Sequence, residues 1–483
     1  MAHPPCLRFK NSRPSQCGNN RQYSVRLWLR SFSMNQLPVL LQIFIIFGLI
    51  VLASARKVHL GLAAGIGGVL FALWRGMPVP ELAQVALGEL LSADTLLLLA
   101  LMSYIMAFST AMKKAGAMDA FSRALSAIAP SPRVAMAAAP LLIGTLPMPG
   151  GAILSAPLVD AMDPNREHAN DVLSAANYWF RHNLELAWPL YPAFILTASL
   201  TGLSVGRLML LNAYAAPVLF ALGLLFILPR KRLAPSVSRG EGSDKVGKGD
   251  EGGSAGAHGG LAARAGSFIR GVAPLAIVLG GYLVLDILWK LVSPGFGFSP
   301  PLSALLGRYL PIFLGLTAGS LYLRLSLAGP GCFKGSIGQS TFKLIMVILG
   351  IRVFSTLLSA AGVAADSAAE LAAAGIPALA AVALLPFVAG LVTGVGFGYV
   401  GLAFPIILGL LPAGGAFPRE AGIVLAGAFG YAGMMLSPLH VCMVVSAEHF
   451  GTGLAATIRR FALPLSLFVV AGAGYASILA WLL

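Results

Sequence analysis

Long apolar stretches separated by short polar segments dominate the chain. A helix needs about 20 mostly apolar residues to cross roughly 30 Å of hydrocarbon, and ten stretches meet this requirement. The pattern predicts an all-α polytopic membrane protein with about ten transmembrane helices. The ten stretches are approximately 36–55, 58–75, 94–112, 186–204, 207–228, 268–292, 302–323, 341–360, 421–446 and 461–483.

Two further apolar stretches, 134–160 and 376–412, are interrupted by Pro and Gly clusters at Leu146–Gly151 and Thr393–Tyr399. About 13 residues stand on each side of the first break and span only about 20 Å as helix. This length predicts a re-entrant hairpin, with a single kinked helix as the alternative. The second stretch is also interpreted as a re-entrant hairpin, with two thin full crossings as its alternative.

Residues 229–266 differ from the rest of the chain, because they are rich in Gly, Ser and charged residues. Such a composition cannot bury enough apolar surface to fold, which predicts a flexible linker. The linker divides the chain into halves 34–228 and 267–483, each with five predicted spans and one broken hairpin.

The two halves share a sequence pattern. Since five spans per half make the second half enter the membrane from the opposite side, the pattern predicts an inverted-topology repeat. The matching positions are Phe108-Ser109-Thr110 with Phe354-Ser355-Thr356, Ala115-Gly116 with Ala361-Gly362, Pro140 with Pro386, Gly144 with Gly390, Pro157 with Pro405, and Pro189-Leu190 with Pro438-Leu439.

Composition supports a membrane protein and excludes an ordinary cytosolic enzyme, since 57% of the residues are hydrophobic and only 11% are charged. The formal charge of +15 raises the alternatives of nucleic acid and anionic lipid. The basic residues mostly lie between apolar runs, however. If the linker lies in the cytoplasm, most Lys and Arg residues lie on the cytoplasmic side of the membrane, as the positive-inside rule requires. We therefore expect a multi-pass inner-membrane protein that contacts the lipid bilayer and binds no nucleic acid.

The four cysteines, Cys6, Cys17, Cys332 and Cys442, lie far apart and lack the spacing of a zinc site or a disulfide framework. The sequence therefore predicts neither a metal site nor a cofactor.

Residues 1–33 form a basic, polar tail that contains no acidic residue. The cytoplasmic linker would place this tail outside, against the positive-inside rule. The tail has three interpretations: a transit-like peptide, an exported tail, or a misassigned start with translation beginning at Met34. The third is favoured.

The order of spans, the central basic linker, both breaks and the segments Asn177–His182 and Trp188–Pro192 resemble an uncharacterised prokaryotic membrane family of the ion-transporter superfamily. That superfamily also contains gluconate and lactate permeases, citrate and dicarboxylate carriers and arsenite pumps. The resemblance implies a scaffold domain and a mobile transport domain that contains both hairpins, often in a homodimer. The Ser-Asn-Thr tip signature of dicarboxylate carriers is absent here, so that substrate is not carried over.

The hairpin tips supply the first candidate residues for binding a substrate or an ion. Hydroxyl groups and bare backbone amides at a tip suit this role, although Pro and Gly also simply shape a turn. The candidates are Thr145, Pro147, Gly150, Gly151 and Ser155 in the first hairpin and Thr393, Gly394, Gly396 and Tyr399 in the second.

A polar segment after the first hairpin supplies the second group. Ionisable groups are costly in hydrocarbon and usually face a cavity or a partner, although an interfacial polar loop is the alternative here. Asn177 and Arg181 are candidates for binding an anion, and His182 is a candidate for binding and for proton coupling. Glu185 and His440 are further candidates for proton coupling.

Inverted halves with broken helices are typical of secondary transporters. The leading hypothesis is a secondary active transporter, not an enzyme, which moves a small anionic organic solute by alternating access coupled to H⁺ or Na⁺. A cation/proton antiporter is the first alternative and would need an essential membrane carboxylate, for which Asp286 is the clearest candidate. The second alternative is an intramembrane enzyme or a non-transporting receptor, which would need a catalytic constellation such as His182, Glu185 and His440 converging in space.

Overall fold

A computed structural model describes residues 37–116, 131–147, 151–163, 165–229, 261–329, 331–411 and 417–483. These residues form helices joined by short connections, and no strand occurs among them, which confirms the predicted all-α class. The predicted tail 1–33, most of the predicted linker 229–266 and the candidate residue Gly150 lie outside the described residues.

Nineteen α-helices occur in the described ranges, and they are numbered here in chain order. Those before the linker are α1 Val39–Ala55, α2 Leu60–Trp74, α3 Val79–Leu90, α4 Ala93–Lys114, α5 Pro132–Gly144, α6 Gly151–Ala161, α7 Asn170–Arg181, α8 Pro192–Thr201, α9 Val205–Leu211 and α10 Ala215–Leu222. Those after it are α11 Leu261–Val292, α12 Pro300–Tyr322, α13 Gln339–Ala360, α14 Val363–Ala373, α15 Ala378–Thr393, α16 Gly396–Leu410, α17 Arg419–Leu436, α18 Val441–His449 and α19 Leu454–Leu482.

In the described part of the chain, seven helical stretches are long and apolar enough to cross a membrane, and each coincides with a predicted span. The other three predicted spans, 36–55, 58–75 and 186–204, coincide with the shorter apolar helices α1, α2 and α8. The helices α14 and α15 are bent by 117° relative to each other, so this pair is either a broken eighth crossing or a re-entrant loop. The chain is therefore a multi-pass membrane protein, and the total of ten spans stays a prediction.

Two predicted spans are interrupted. In the predicted span 186–204, only Pro192–Thr201 is an α-helix, and the predicted span 421–446 is broken at residues 437–440. Pro438 explains the second break, because proline disfavours helical geometry in the preceding residue, and α17 ends at Leu436. In the first segment Pro192 is the first residue of α8, whereas α7 already ends at Arg181.

Both predicted hairpin breaks are present as interruptions between short helices. Helix α5 packs against α6, and α15 packs against α16. The second break contains Gly394, whose φ of +64° is a left-handed conformation that favours glycine. Each interrupted stretch is thus a pair of packed half-helices, and its depth in the bilayer stays a prediction.

Contacts between the halves are reciprocal. Helix α2 of the first half packs on α13 of the second. Helices α12 and α4, which stand at the corresponding places of the opposite halves, also pack on each other. Likewise α8 packs on α16, and α18 packs on α6. The helices also follow in the same order in both halves, as a repeat would require. The inverted orientation of the repeat stays a prediction.

The crossing of α2 and α13 depends on glycine. Gly61 lies against the backbone of Met346 and Val347, and a Cβ added at Gly350 would overlap the carbonyl group of Gly61. Small residues allow helix backbones to approach this closely. The resulting van der Waals contacts favour helix association in lipid, where the hydrophobic effect provides no driving force between helices.

We expect Gly350→Ala to destabilise the protein by about 1–3 kcal/mol, because the new methyl group forces two backbones apart. Thermal unfolding of the purified protein in detergent measures the effect. Gly48→Ala in α1 is the matched control, since a Cβ there meets nothing within 4 Å. Equal melting temperatures for the two variants would show that the crossing tolerates a wider spacing.

Arg352 of α13 is buried in a polar network that joins three helices of the first half. Its guanidinium forms ion pairs with Glu89 of α3 and Asp94 of α4, the latter at 3.0 Å. It also donates to Thr95 Oγ1 at 2.9 Å and to Ser199 Oγ at 3.0 Å. Arg352 therefore serves as a structural ion-pair partner between the halves.

We expect Arg352→Gln to cost about 1–3 kcal/mol of stability, because it leaves the half-buried carboxylate of Glu89 without its cation, whereas Asp94 keeps its pair with Arg308. Arg207→Gln is the control, since the Arg207–Glu420 pair is more exposed and such pairs contribute about 0–1 kcal/mol. Thermal unfolding compares the two. An unchanged melting temperature in Arg352→Gln would show that this polar network does not stabilise the packing of the halves.

Candidate functional site

The break in the first hairpin is covered by side chains from α7 and from the polar segment that follows it. Trp188 Nε1 donates to the carbonyl oxygen of Thr145 at 2.9 Å, and Tyr191 Oη donates to that of Gly144 at 2.6 Å. Asn177 Nδ2 donates to the carbonyl oxygen of Ala152 at 3.3 Å. These bonds satisfy backbone groups that lipid could not satisfy, and they hold the tip against the C-terminal end of α7.

Arg181, the last residue of α7, places its guanidinium at the beginning of α6. A Cβ added at Gly151 would overlap Nη2 of this guanidinium, so only glycine leaves room for it there. The N-terminus of a helix carries a partial positive charge, and the guanidinium adds a full one. This end of the first hairpin is therefore a concentrated positive region inside the protein.

Glu185 occupies the corresponding place at the second hairpin. Its Oε1 lies against Gly396, the first residue of α16. A carboxylate is the charge that a helix N-terminus favours. The carboxyl group also borders a cavity of about 20 Å³ together with Thr197, Asn212 and Tyr399, which is room for about one water molecule.

A pair of histidines joins the two halves between these tips. His182 follows α7 directly, His440 precedes α18, and their Nε2 atoms lie 3.1 Å apart. The Sγ atom of Cys442, in the first turn of α18, lies within 4.8 Å of a ring nitrogen of each histidine. His182, His440 and Cys442 are all buried.

Tyr178 holds the two imidazoles in place. Its ring packs edge-on against His182 and His440, with centroids 4.9 and 5.1 Å away. Its hydroxyl donates to the carbonyl oxygen of Met435 at 3.1 Å, across the boundary between the halves. The imidazoles are therefore fixed by packing as well as by hydrogen bonds.

The second tip contacts its own half as well. A Cβ at Gly394 would lie about 3 Å from Ser437 Oγ and the backbone nitrogen of His440, so the tip rests on the interrupted segment 437–440. Thr393 Oγ1 donates to the carbonyl oxygen of Ala389 at 2.7 Å, within its own helix.

The structure thus brings most predicted candidates together around one buried polar region. Arg181 meets Gly151, Glu185 meets Gly396, and His182 meets His440. Asn177 also donates to Ser446 Oγ at 2.8 Å, so it links α7 to α18.

The hydroxyl groups of the first tip bond mainly to their own helices. Thr145 Oγ1 donates to Leu142 at 2.6 Å, and Ser155 Oγ lies 3.4 Å from the carbonyl oxygens of Gly151 and Ala152. Pro147 is buried at the break. A binding role for each of these residues stays a prediction.

Sequence reasoning missed Cys442, Tyr178 and Ser446. The spacing between cysteines gives no sign of Cys442, because its neighbours in the cluster are histidines. The informative signal is the pair His440 and Cys442, two residues apart at a proline-interrupted span. Tyr178 and Ser446 lie on helices whose polar side chains are recognised only once the halves are packed.

The fold resembles the crystal structure of the YdaH transporter of Alcanivorax borkumensis. The two share 14% sequence identity with a TM-score of 0.52, over 78% of this chain and 84% of that one. At this identity the likeness establishes a common fold. A comparison with curated proteins finds no significant relative.

Residues 36–241 and 305–478 match the model of a family described as a protein of unknown function, DUF401. These two ranges include both hairpins, the polar segment after α7 and the whole histidine pair with Cys442. The chain belongs to the DUF401 family.

Proposed function

We propose that this protein is a secondary active transporter that moves a small anionic organic solute across the inner membrane by alternating access. The proposal rests on the meeting of two broken hairpins with a buried charged cluster. The fold likeness to a protein described as a transporter supports it. Distant similarity to gluconate or lactate permeases and to citrate or dicarboxylate carriers is part of the same proposal.

One observation carries the anionic character of the solute. The guanidinium of Arg181 lies against Gly151, so a full positive charge and a helix N-terminus point at the same buried place. Both the guanidinium and the helix N-terminus stabilise a negative group that is placed there. A carboxylate fits this chemistry, because a guanidinium binds it through two parallel hydrogen bonds.

The position of Glu185 also supports an anionic solute. Its carboxylate already occupies the N-terminal end of the second half-helix at Gly396, as a solute carboxylate would occupy the first. The two tips therefore differ in charge: one holds a carboxylate and the other holds a guanidinium. The solute site is assigned to the first tip.

The proposed coupling ion is H⁺ or Na⁺, and His182, Glu185 and His440 stay the predicted candidates for carrying a proton. No observation favours the antiporter alternative, since the carboxylate of Asp286 pairs with Lys290 at 2.7 Å one helical turn away. His182 and His440 do converge, as the intramembrane-enzyme alternative requires. Glu185, however, lies at the second tip, against Gly396.

The direct test is uptake into proteoliposomes with an imposed proton or sodium gradient. A panel of radiolabelled small carboxylates, including lactate, gluconate, succinate and citrate, serves as the probe. Gradient-driven accumulation of at least one member supports the proposal. Absence of driven flux for every anion, with the protein folded and inserted, would contradict it.

We expect Arg181→Lys to raise the KM for the transported anion at least about tenfold, because lysine lacks the planar fork and loses one charge-assisted hydrogen bond. Initial uptake rates over a range of concentrations give the KM. Arg207→Lys, at an exposed pair with Glu420, is the control and should leave the KM within about twofold. An unchanged KM in Arg181→Lys would remove Arg181 from the solute site.

We expect Gly151→Ala to lower uptake about 10- to 100-fold, since its methyl group displaces the guanidinium of Arg181 and small displacements in a binding site have effects of this size. Gly48→Ala, which meets no neighbouring atom, is the matched control for replacing a helical glycine. Full uptake by Gly151→Ala would mean that the position of the guanidinium does not matter for transport.

A further inference from the structure

We propose that His182, His440 and Cys442 form a binding site for a thiophilic transition-metal ion of the Zn²⁺ class. The inference does not depend on which solute is transported. The donor atoms, one from each side chain, all lie within 4.8 Å of one another in the buried interior. His182 comes from the first half and the other two from the second, so the ion would join the halves.

The three side chains offer the kinds of donor atom that bind Zn²⁺. Imidazole and thiolate are the ligands that Zn²⁺ prefers, at bond lengths of about 2.0–2.1 Å and 2.3 Å. Tetrahedral geometry with these bonds separates donor atoms by roughly 3.3–3.7 Å. The 3.1 Å between the two Nε2 atoms is already close to this value. The donor atoms lie up to 4.8 Å apart, so side-chain adjustments that shorten the longest separation by about 1–1.5 Å would complete the site.

The backbone fixes the tautomer of His182. Its Nδ1 lies 2.7 Å from the carbonyl oxygen of Tyr178, so this nitrogen carries the proton and donates it to that oxygen. The lone pair therefore lies on Nε2, which points at His440. Metal-binding histidines almost always use their second nitrogen in this manner.

Packing also preorganises the rings. The His182 and His440 rings stand at 87° to each other, and Tyr178 packs against the edges of both. Two ligands on perpendicular rings can direct their lone pairs to a common point. A direct hydrogen bond between the two imidazoles is the alternative, and it gives the thiol of Cys442 no particular function.

The charges around the cluster are compatible with a bound cation. Binding converts the thiol of Cys442 to a thiolate, and the negative charge of the thiolate offsets part of the charge of a dication.

The test uses the full-length protein, purified in detergent with a tag that contains no histidine and stripped of metal by a chelator. Co²⁺ is added as a spectroscopic probe, and bound Zn²⁺ is measured by elemental analysis after gel filtration. We expect about one ion per chain and a sulfur-to-cobalt charge-transfer band. A wild-type protein that shows no such band and retains no Zn²⁺ overturns the proposal.

Variants locate the ion. Cys442→Ser should lose the charge-transfer band, and His440→Gln should weaken Zn²⁺ binding at least about 100-fold, since it removes a ligand rather than an outer partner. Cys332→Ser is the matched control, because Cys332 is also a buried free cysteine but does not belong to the cluster. A band that survives in Cys442→Ser places the ion elsewhere and overturns the assignment.

A measurement on the wild-type protein alone guards against a variant that does not fold. X-ray absorption of the Zn²⁺-loaded protein should report two nitrogen ligands at about 2.0–2.1 Å and one sulfur ligand at about 2.3 Å. A shell without sulfur contradicts the proposal.

Cys442→His should keep Zn²⁺ while losing the cobalt band, which a packing role of the thiol would not explain.

Discussion

Helix breaks inside an apolar environment need polar partners from the protein itself, and the architecture depends on this constraint. Lipid satisfies no backbone group, so irregular backbone there must be buried against donors and acceptors. Trp188, Tyr191 and Asn177 provide these groups at the first break. Helix α7 and the polar segment after it are thus required by the hairpin, and the charged side chains of Arg181 and Glu185 lie at the tips because of it.

Much of the fold follows from hydropathy and proline. The apolar stretches located the helices, and the Pro and Gly clusters located both hairpin breaks. The interruption at Pro438 was hidden, because the composition around it stays apolar while a single residue ends the helix. The number of crossings depends on helix tilt and depth, which the length of an apolar run does not specify.

The site was only partly predictable, for a physical reason. Arg181, His182, Glu185 and His440 stand out because ionisable groups are costly in a membrane. Their mutual arrangement is set by packing between halves that are far apart in sequence. Cys442 resembles an ordinary small apolar residue until His182 is placed beside it, and the role of Gly151 emerges only from the position of the Arg181 side chain.

Reciprocal packing makes the two halves energetically inseparable. Helix α6 of the first hairpin rests on α18 of the second half, and α16 of the second hairpin rests on α8 of the first. A displacement of either hairpin therefore changes the surface on which a helix of the other half lies. Helices α6 and α18 lie far apart in sequence but share one contact surface, so the free-energy effects of substitutions on that surface are expected not to add.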